Sequence, residues 1–420
     1  GISMALAVMV AARITGNTRT PSSASDLSHR ARSRRPDYCE RMFSIKPDCR
    51  HFTGYRPCGF GGVCEGCTDF ERAEPDILLI NLDALGDVLR NTSVIPAIRR
   101  AHPRARITWL TRPSAAPLLV QNPLIDRVIL LEPGVDTLLQ TLTFDLVLNA
   151  DKTMVAGALA MACRASERRG FGVDSNGSIV ALNPGADLLY RMGLDDHLKF
   201  KVNQRSAQDL LCEAFGFQYV RDRYTLEADR VPGQRRLRVG FNTGCGPKWP
   251  LKKIATPIIE AAITLIARRT EEPVLLLGGP EDTETHQVLE RRLGQLVERS
   301  PTTDGLRAGI AHMNRVDVVV SGDSLGMHMA IALRKQVVAW FGPTSAPEID
   351  LYNRGLKIVS AMSCSPCWSP NCGEPVPCNA RVTPTAIAEA VAACLSEAEE
   401  PASTDSIAQL EGASRPRSGR

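Results

Sequence analysis

The sequence predicts an α/β protein of two Rossmann-like domains facing each other across a cleft. Three observations carry this reading. From Ile77 onward, short apolar and β-branched runs alternate with amphipathic stretches of helical period. After the polar, proline-glycine break Asp229 to Arg236, the same rhythm starts again. With 420 residues, the chain has room for two domains of ordinary size.

The first half offers strands at Ile77 to Leu82, Arg106 to Thr111, Arg127 to Glu132 and Asp145 to Ala150. The second offers Leu237 to Asn242, Pro273 to Gly279, Val316 to Gly322 and Gln336 to Gly342. These runs are apolar on both faces, as strands of a parallel sheet covered by helices must be. Pro384 to Ala398 reads as a closing helix. The expected organisation is a disordered extension over 1–36, a cysteine-rich segment over 37–73, domains over 74–232 and 233–398, and a disordered tail over 399–420.

Net charge is +4, with much of the excess in His29 to Pro36 and Ser414 to Arg420. That bias is too weak to predict a nucleic-acid partner. No stretch reaches the roughly 18 apolar residues of a membrane-spanning helix. Met4 to Ile14 lacks the basic leader and cleavage site of a signal peptide. Thirteen cysteines without an export signal favour the cytoplasm and metal binding over disulfides.

Four stretches could carry chemistry. In Asn81 to Pro96 the chain leaves a strand, turns through Gly86 and enters a helix. Asp87 is placed at that helix start as a candidate base, with Asp83 nearby; helix capping is the plainer role. In Val320 to Leu333 a strand ends at Gly322, Asp323 or Ser324 caps the next helix, and Gly326 allows close backbone approach. His328 lies one turn in, and the free N–H groups suit a phosphate; a tightly packed corner is the alternative. Asn242 to Lys253 offers Thr243, two glycines and the Lys248 cation to a phosphate, without P-loop spacing. Glu281 follows a strand and suits a ribose hydroxyl or a helix cap.

Together, in this order and separation, these stretches resemble glycosyltransferase family 9, the heptosyltransferase-like enzymes of GT-B fold. The likeness covers about Ile77 to Leu395. Its most specific pieces are Gly86-Asp87, Lys248-Trp249-Pro250 and the run Gly322 to His328. The resemblance implies an inverting sugar transfer without a catalytic metal, with an acceptor domain over 74–232 and a nucleotide-sugar domain over 233–398. It makes Asp87 the base toward an acceptor hydroxyl and Lys248 the cation that neutralises the diphosphate. Glu281 would hold the ribose, and Asp323, Ser324, Gly326 and His328, with Thr243, the sugar and pyrophosphate. Where relatives often carry adjacent hydroxyls before the lysine, this chain has Thr243, Gly244, Cys245, Gly246 and Pro247, so ADP-heptose is a reasonable donor and not a deduced one. The implied acceptor is a lipopolysaccharide, glycan or protein hydroxyl. A peripheral place at the inner membrane and a homo-oligomer stay open.

Cys364, Cys367, Cys372 and Cys378 are spaced C-x2-C-x4-C-x5-C in a loop stiffened by four prolines, a pattern suited to zinc, iron or an iron–sulfur cluster. A similar finger in the autotransporter heptosyltransferases binds structural iron, which keeps a protein acceptor in view. Cys49, Cys58, Cys64 and Cys67, with Cys39 and His51 nearby, suggest a second four-sulfur site. Cys163, Cys212 and Cys394 read as core. Nothing beside the C-terminal cysteines offers a base, so a structural staple or docking element is expected there. Two rival readings remain: an iron–sulfur or thiolate redox protein with a dinucleotide site, weakened by the missing G-x-G-x-x-G, and a non-catalytic nucleotide-sugar-binding protein.

Overall fold

The computed structural model describes residues 8–9, 45–52, 54, 58, 64–229, 233 and 236–399, the first pair and the last two as backbone only. Cys39, most of the expected extension and the tail after 399 lie outside these residues. The chain divides into two compact units, Gly1–Glu227 and Ala228–Arg420.

The first unit is built on seven strands: β1 (Val8–Met9), β2 (Asp76–Ile80), β3 (Arg106–Thr111), β4 (Arg127–Leu130), β5 (Thr143–Asn149), β6 (Arg164–Val173) and β7 (Ile179–Ala181). Their order is β1-β4-β3-β2-β5-β6-β7, with β2 to β6 parallel and the two end strands antiparallel. Successive side chains of β2 enter opposite layers. Ile77 and Leu79 pack with Trp109, Ile95 and Phe215, while Leu78 and Ile80 pack with Leu110, Leu139 and Ala156. Helices therefore cover both faces, and this is why the strand reads as an unbroken apolar run.

The cysteine-rich segment is tied to this unit by polar contacts. Arg50 pairs with Asp126 at 2.9 Å, Arg106 donates to the Pro47 carbonyl at 2.9 Å, and Arg127 donates to that of Phe52 at 2.6 Å.

The second unit is an all-parallel sheet of β8 (Leu237–Asn242), β9 (Val274–Leu277), β10 (Val297–Arg299), β11 (Val316–Gly322), β12 (Gln336–Phe341) and β13 (Gly355–Val359). The order is β10-β9-β8-β11-β12-β13. On one face Val239, Phe241, Val318, Val338 and Trp340 pack against Ile259 and Ile263 of helix Thr256–Thr270 and against Ile387 and Val391 of helix Pro384–Glu399. Cys394 is in that layer, and Cys163 and Cys212 are buried in the first unit, each as a core residue.

Both sheets share one winding. Strand order runs outward one way from β2 and β8, then reverses between β2 and β5 and between β8 and β11. In doubly wound folds the crevice outside the carboxyl ends of the strands at such a reversal is where ligands bind. Every candidate stretch outside the cysteine segments leaves the carboxyl end of a strand. Among the described residues, no helix is long and apolar enough to cross a membrane.

Candidate active site

At the reversal in the first unit, Asn81 follows β2 and Asp151 follows β5. Asn81 Nδ2 donates to Asp151 Oδ1 at 2.6 Å and to the Asp83 carbonyl at 3.2 Å, while Asn81 Oδ1 accepts from Asn91 Nδ2 at 2.9 Å. Asp151 Oδ2 accepts the backbone N–H of Leu82 at 2.5 Å and of Asp83 at 3.4 Å. The loop carrying the candidate carboxylates is thus held from beneath by a buried Asn-Asp pair. Burial raises the Asp151 carboxyl to about 7; the Leu82, Asp83 and Asn81 donors pull the other way, and the charge of Asp87 adds to the rise.

Helix Leu85–Asn91 begins after Ala84, which supplies no side-chain cap. Asp87 lies in the first turn. Its carboxylate pairs with Arg90 at 2.7 Å and remains 42% exposed, so a hydroxyl can reach it. Asp83 points elsewhere, to Arg112 at 2.6 Å.

At the reversal in the second unit, Asn242 ends β8. Its Nδ2 donates to Ser321 Oγ at 3.0 Å, to Ser324 Oγ at 3.1 Å and to the Gly244 carbonyl at 2.9 Å. It thereby joins the loop after β8 to the turn after β11. Gly326 makes room for this: a Cβ there would stand 2.5 Å from Asn242 Cγ. The close approach that glycine permits is to Asn242, a role not anticipated from the sequence. Ser324 is the N-cap residue of helix Leu325–Ala332 and makes no side-chain cap bond, so its hydroxyl leaves the first-turn N–H groups uncapped.

Asp323 forms an ion pair with Lys252 at 2.9 Å, both side chains largely buried. Burial alone would raise the Asp323 carboxyl, but Lys252 and the nearby His328 outweigh it and hold the carboxyl below its ordinary value. Lys253 pairs with the buried Asp282 at 2.8 Å, and Asp282 also accepts the Gly279 N–H at 3.0 Å. Thr243 faces inward, with its hydroxyl 2.9 Å from Nε2 of buried His286. Lys248 and Glu281 are exposed, and neither makes an ion pair among the described residues. Cys245 donates to the Trp249 carbonyl at 3.1 Å, and burial raises its thiol to about 11, so it closes the loop as a neutral group. Sequence reasoning missed Asn81, Asp151, Asn242, Lys252, Lys253, Asp282 and His286.

The cysteine loop after β13 rests on this site. Trp368 packs against Trp249 with ring centroids 5.1 Å apart, and Lys252 Nζ lies 5.8 and 5.7 Å from the two rings. The Asn379 carbonyl accepts the Ala255 N–H at 3.1 Å, and Asn379 Nδ2 donates to the Lys253 carbonyl at 2.9 Å.

The expected sulfur sites are not assembled as ligand sets. Among the described residues, no group of three or more His, Cys, Asp or Glu side chains is placed to hold a metal ion. Cys364, Cys367 and Cys372 are exposed and Cys378 is buried. Burial raises the Cys378 thiol, and the other three are near enough to add to that rise. The loop is held by Ser365 Oγ donating to the Gly342 carbonyl at 2.7 Å and Trp368 N–H donating to that of Pro343 at 2.8 Å. Four neighbouring thiols are chemically apt for zinc or iron. In the first set, Cys49 is buried, while Cys58, Cys64 and Cys67 are half-buried.

Residues 261–376 match the model of the family described as glycosyltransferase family 9 (heptosyltransferase). No curated protein matches the chain. Among solved structures, it is similar to a family 9 glycosyl transferase from Veillonella parvula, with a TM-score of 0.61 and 18% identity over 78% of this chain and 99% of that one. It is also similar to the E. coli ADP-heptose LPS heptosyltransferase II, with a TM-score of 0.56 and 18% identity over 77% and 99% of the two chains. For E. coli heptosyltransferase WaaC with ADP the values are 0.53 and 17%, over 77% and 99%. Residues 261–376 therefore match glycosyltransferase family 9, and the chain as a whole has the GT-B fold of these structures.

Proposed function

We propose that the protein transfers a sugar, with inversion, from a nucleotide sugar to a hydroxyl of a lipopolysaccharide, glycan or protein, and that ADP-heptose is the donor. The observation that carries this is the Lys252–Asp323 pair beside the uncapped helix start at Ser324, with Lys253 and the exposed Lys248 on the same loop, at the strand-order reversal of the unit bearing the family 9 match. Backbone N–H groups and lysines suit a diphosphate, whose charge grows as the bond to the anomeric carbon breaks.

Asp87 takes the proton of the acceptor hydroxyl as its oxygen attacks the anomeric carbon. The bonding pair leaves with the diphosphate, toward Lys248 and the helix start. Lys252 and Lys253 are already matched by Asp323 and Asp282, so Lys248 is the lysine that answers the charge of the leaving group. Glu281 accepts from the ribose, and Asp323 with His328 meets the sugar side. The unit Gly1–Glu227 handles the acceptor and the unit Ala228–Arg420 the donor.

Cys364, Cys367, Cys372 and Cys378 would hold a structural zinc or iron ion outside the reaction. A reducing compartment, the cytoplasm, keeps such thiols available.

Calorimetric titration with ADP, GDP and UDP tests the reading, with elemental analysis of the same sample. Selective ADP binding that weakens in Lys248→Ala is expected. Equal affinity for all three, or ADP binding indifferent to Lys248→Ala, overturns the donor assignment.

A further inference from the structure

Five cations line a pocket of about 320 Å³ at the amino edge of the second sheet. Arg236 and Arg238 come from the start of β8, Arg334 and Lys335 from the turn before β12, and Arg354 from the residue before β13. The donor-site residues leave the opposite edge of the same sheet. Strand β8 has 6 residues, about 20 Å of extended chain, which separates the two places.

Among the described residues that line this pocket, five are cationic and one, Asp317, is a carboxylate, which pairs with Arg236. Glu272 accepts the backbone N–H of Arg238 at 3.2 Å. Arg354 Nε donates to the Arg334 carbonyl at 2.8 Å and Lys335 Nζ to that of Asn314 at 2.9 Å, neutral partners that leave both charges standing. The Arg334 side chain makes no hydrogen bond or ion pair among the described residues. Lys335 is only 8% exposed. Burial, with Arg236 and Arg354 beside it, lowers its ammonium to about 8 against the opposing pull of Asp317.

We propose that this pocket binds a phosphorylated ligand, with Arg334 and Arg354 as its principal contacts, at a site separate from the donor site. The planar guanidinium fork matches phosphate oxygens two at a time. The volume is at the small end of ligand pockets and suits one or two phosphate groups rather than a polymer stripe. A dianion would offset the mutual repulsion of the arginines and favour the charged form of Lys335. The phosphate could belong to a free metabolite or to a lipid headgroup, and the two sources are separable by experiment.

The test uses the full chain at low ionic strength, in two arms. In the first, inorganic pyrophosphate is titrated by calorimetry into the wild type, Lys248→Ala, and Lys248→Ala combined with Arg334→Ala or with Arg334→Ala/Arg354→Ala. Binding at this pocket should survive Lys248→Ala, which disables only the donor site, and on that Lys248→Ala background weaken about tenfold when Arg334→Ala is added and disappear when Arg334→Ala/Arg354→Ala is added. Near pH 8 it should also take up a proton at Lys335, seen as heat that varies with the buffer. In the second arm, the same proteins are sedimented with phosphatidylglycerol vesicles. Arginine-dependent pyrophosphate binding without vesicle binding assigns a free ligand. Arginine-dependent vesicle binding assigns a headgroup. Binding in neither arm, or binding indifferent to Arg334→Ala, overturns the proposal. Arg334 is exposed and makes no side-chain contact that folding needs, so the single variant decides the matter if the double variant fails to fold.

Discussion

The ring of Trp368 lies 5.1 Å from the ring of Trp249, which places the cysteine loop directly on the loop that presents Lys248. Lys252 Nζ sits within 6 Å of both rings, by 5.8 and 5.7 Å, while its charge is committed to Asp323 at 2.9 Å. The aromatic pair and the ion pair therefore fix one segment from two sides.

Removing one ring of such a pair costs about 0.5–1.5 kcal/mol beyond lost burial. Trp368 is 39% exposed, so most of the loss should fall on loop position rather than on global stability. Trp368→Ala is expected to weaken ADP binding by about 3- to 10-fold with a small change in Tm, and Trp368→Phe to restore most of it. The excitonic couplet of the two tryptophan rings, tilted at 53°, in far-UV circular dichroism should vanish in both variants. A couplet that persists in Trp368→Ala would show that the two rings do not pair in solution.

The carboxylate of Asp87 is 42% exposed, and its salt bridge to Arg90 orients it. Asp87→Ala should lower kcat by about 10²- to 10⁴-fold, the range for losing a general base. Binding of ADP should be unchanged. Turnover at the wild-type rate would remove Asp87 from the mechanism.

Lys252 and Asp323 form a pair whose side chains are 15% and 13% exposed. Truncating one partner leaves the other buried without compensation, at a cost of about 3 kcal/mol. Lys252→Met should be strongly destabilising by urea denaturation, and adding Asp323→Asn should recover much of the loss. Additive losses in the double variant would mean the two charges are not coupled.

The strands named from sequence are those with unbroken apolar runs, because burial on both faces writes itself into every position. Strand β6 escaped notice because Arg164, Glu167, Arg168 and Arg169 interrupt its first half, where the chain is partly exposed. Strand β13 did so as a sheet edge with Leu356 and Val359 largely open to solvent. Asp87, Lys248 and the turn from Gly322 could be named as candidates from sequence because glycine and charge stand together after a strand. Asn81, Asn242 and Asp151 were not, since their importance lies in partners 70 to 82 residues away. Lys252 and Lys253 are adjacent in sequence, and only the fold sends one to Asp323 and the other to Asp282. Four sulfurs in one loop announce a cluster, but spacing alone does not bring them onto one ion.

Asp151 links the first unit's loop to pH. Burial lifts its carboxyl to about 7, so the folded chain holds this proton more tightly than the unfolded chain, whose carboxylates titrate near 4. The sign follows from linkage. A carboxyl raised on folding adds stability below its unfolded value, and that stability is lost as pH rises from about 4 to about 7. Asp151→Asn is neutral throughout, so the stability of the wild type should fall relative to the variant across this window and level off above it. Paired urea denaturation curves at several pH values check this; parallel curves would place the Asp151 carboxyl at its ordinary value. Asp87 contributes to the rise, so Asp87→Asn should shift the window to lower pH, detectable as a lower carboxyl pKa of Asp151 by carbon NMR. The carboxylate that holds the Leu82 and Asp83 N–H groups would then stay ionised further into acid, and the loop with it.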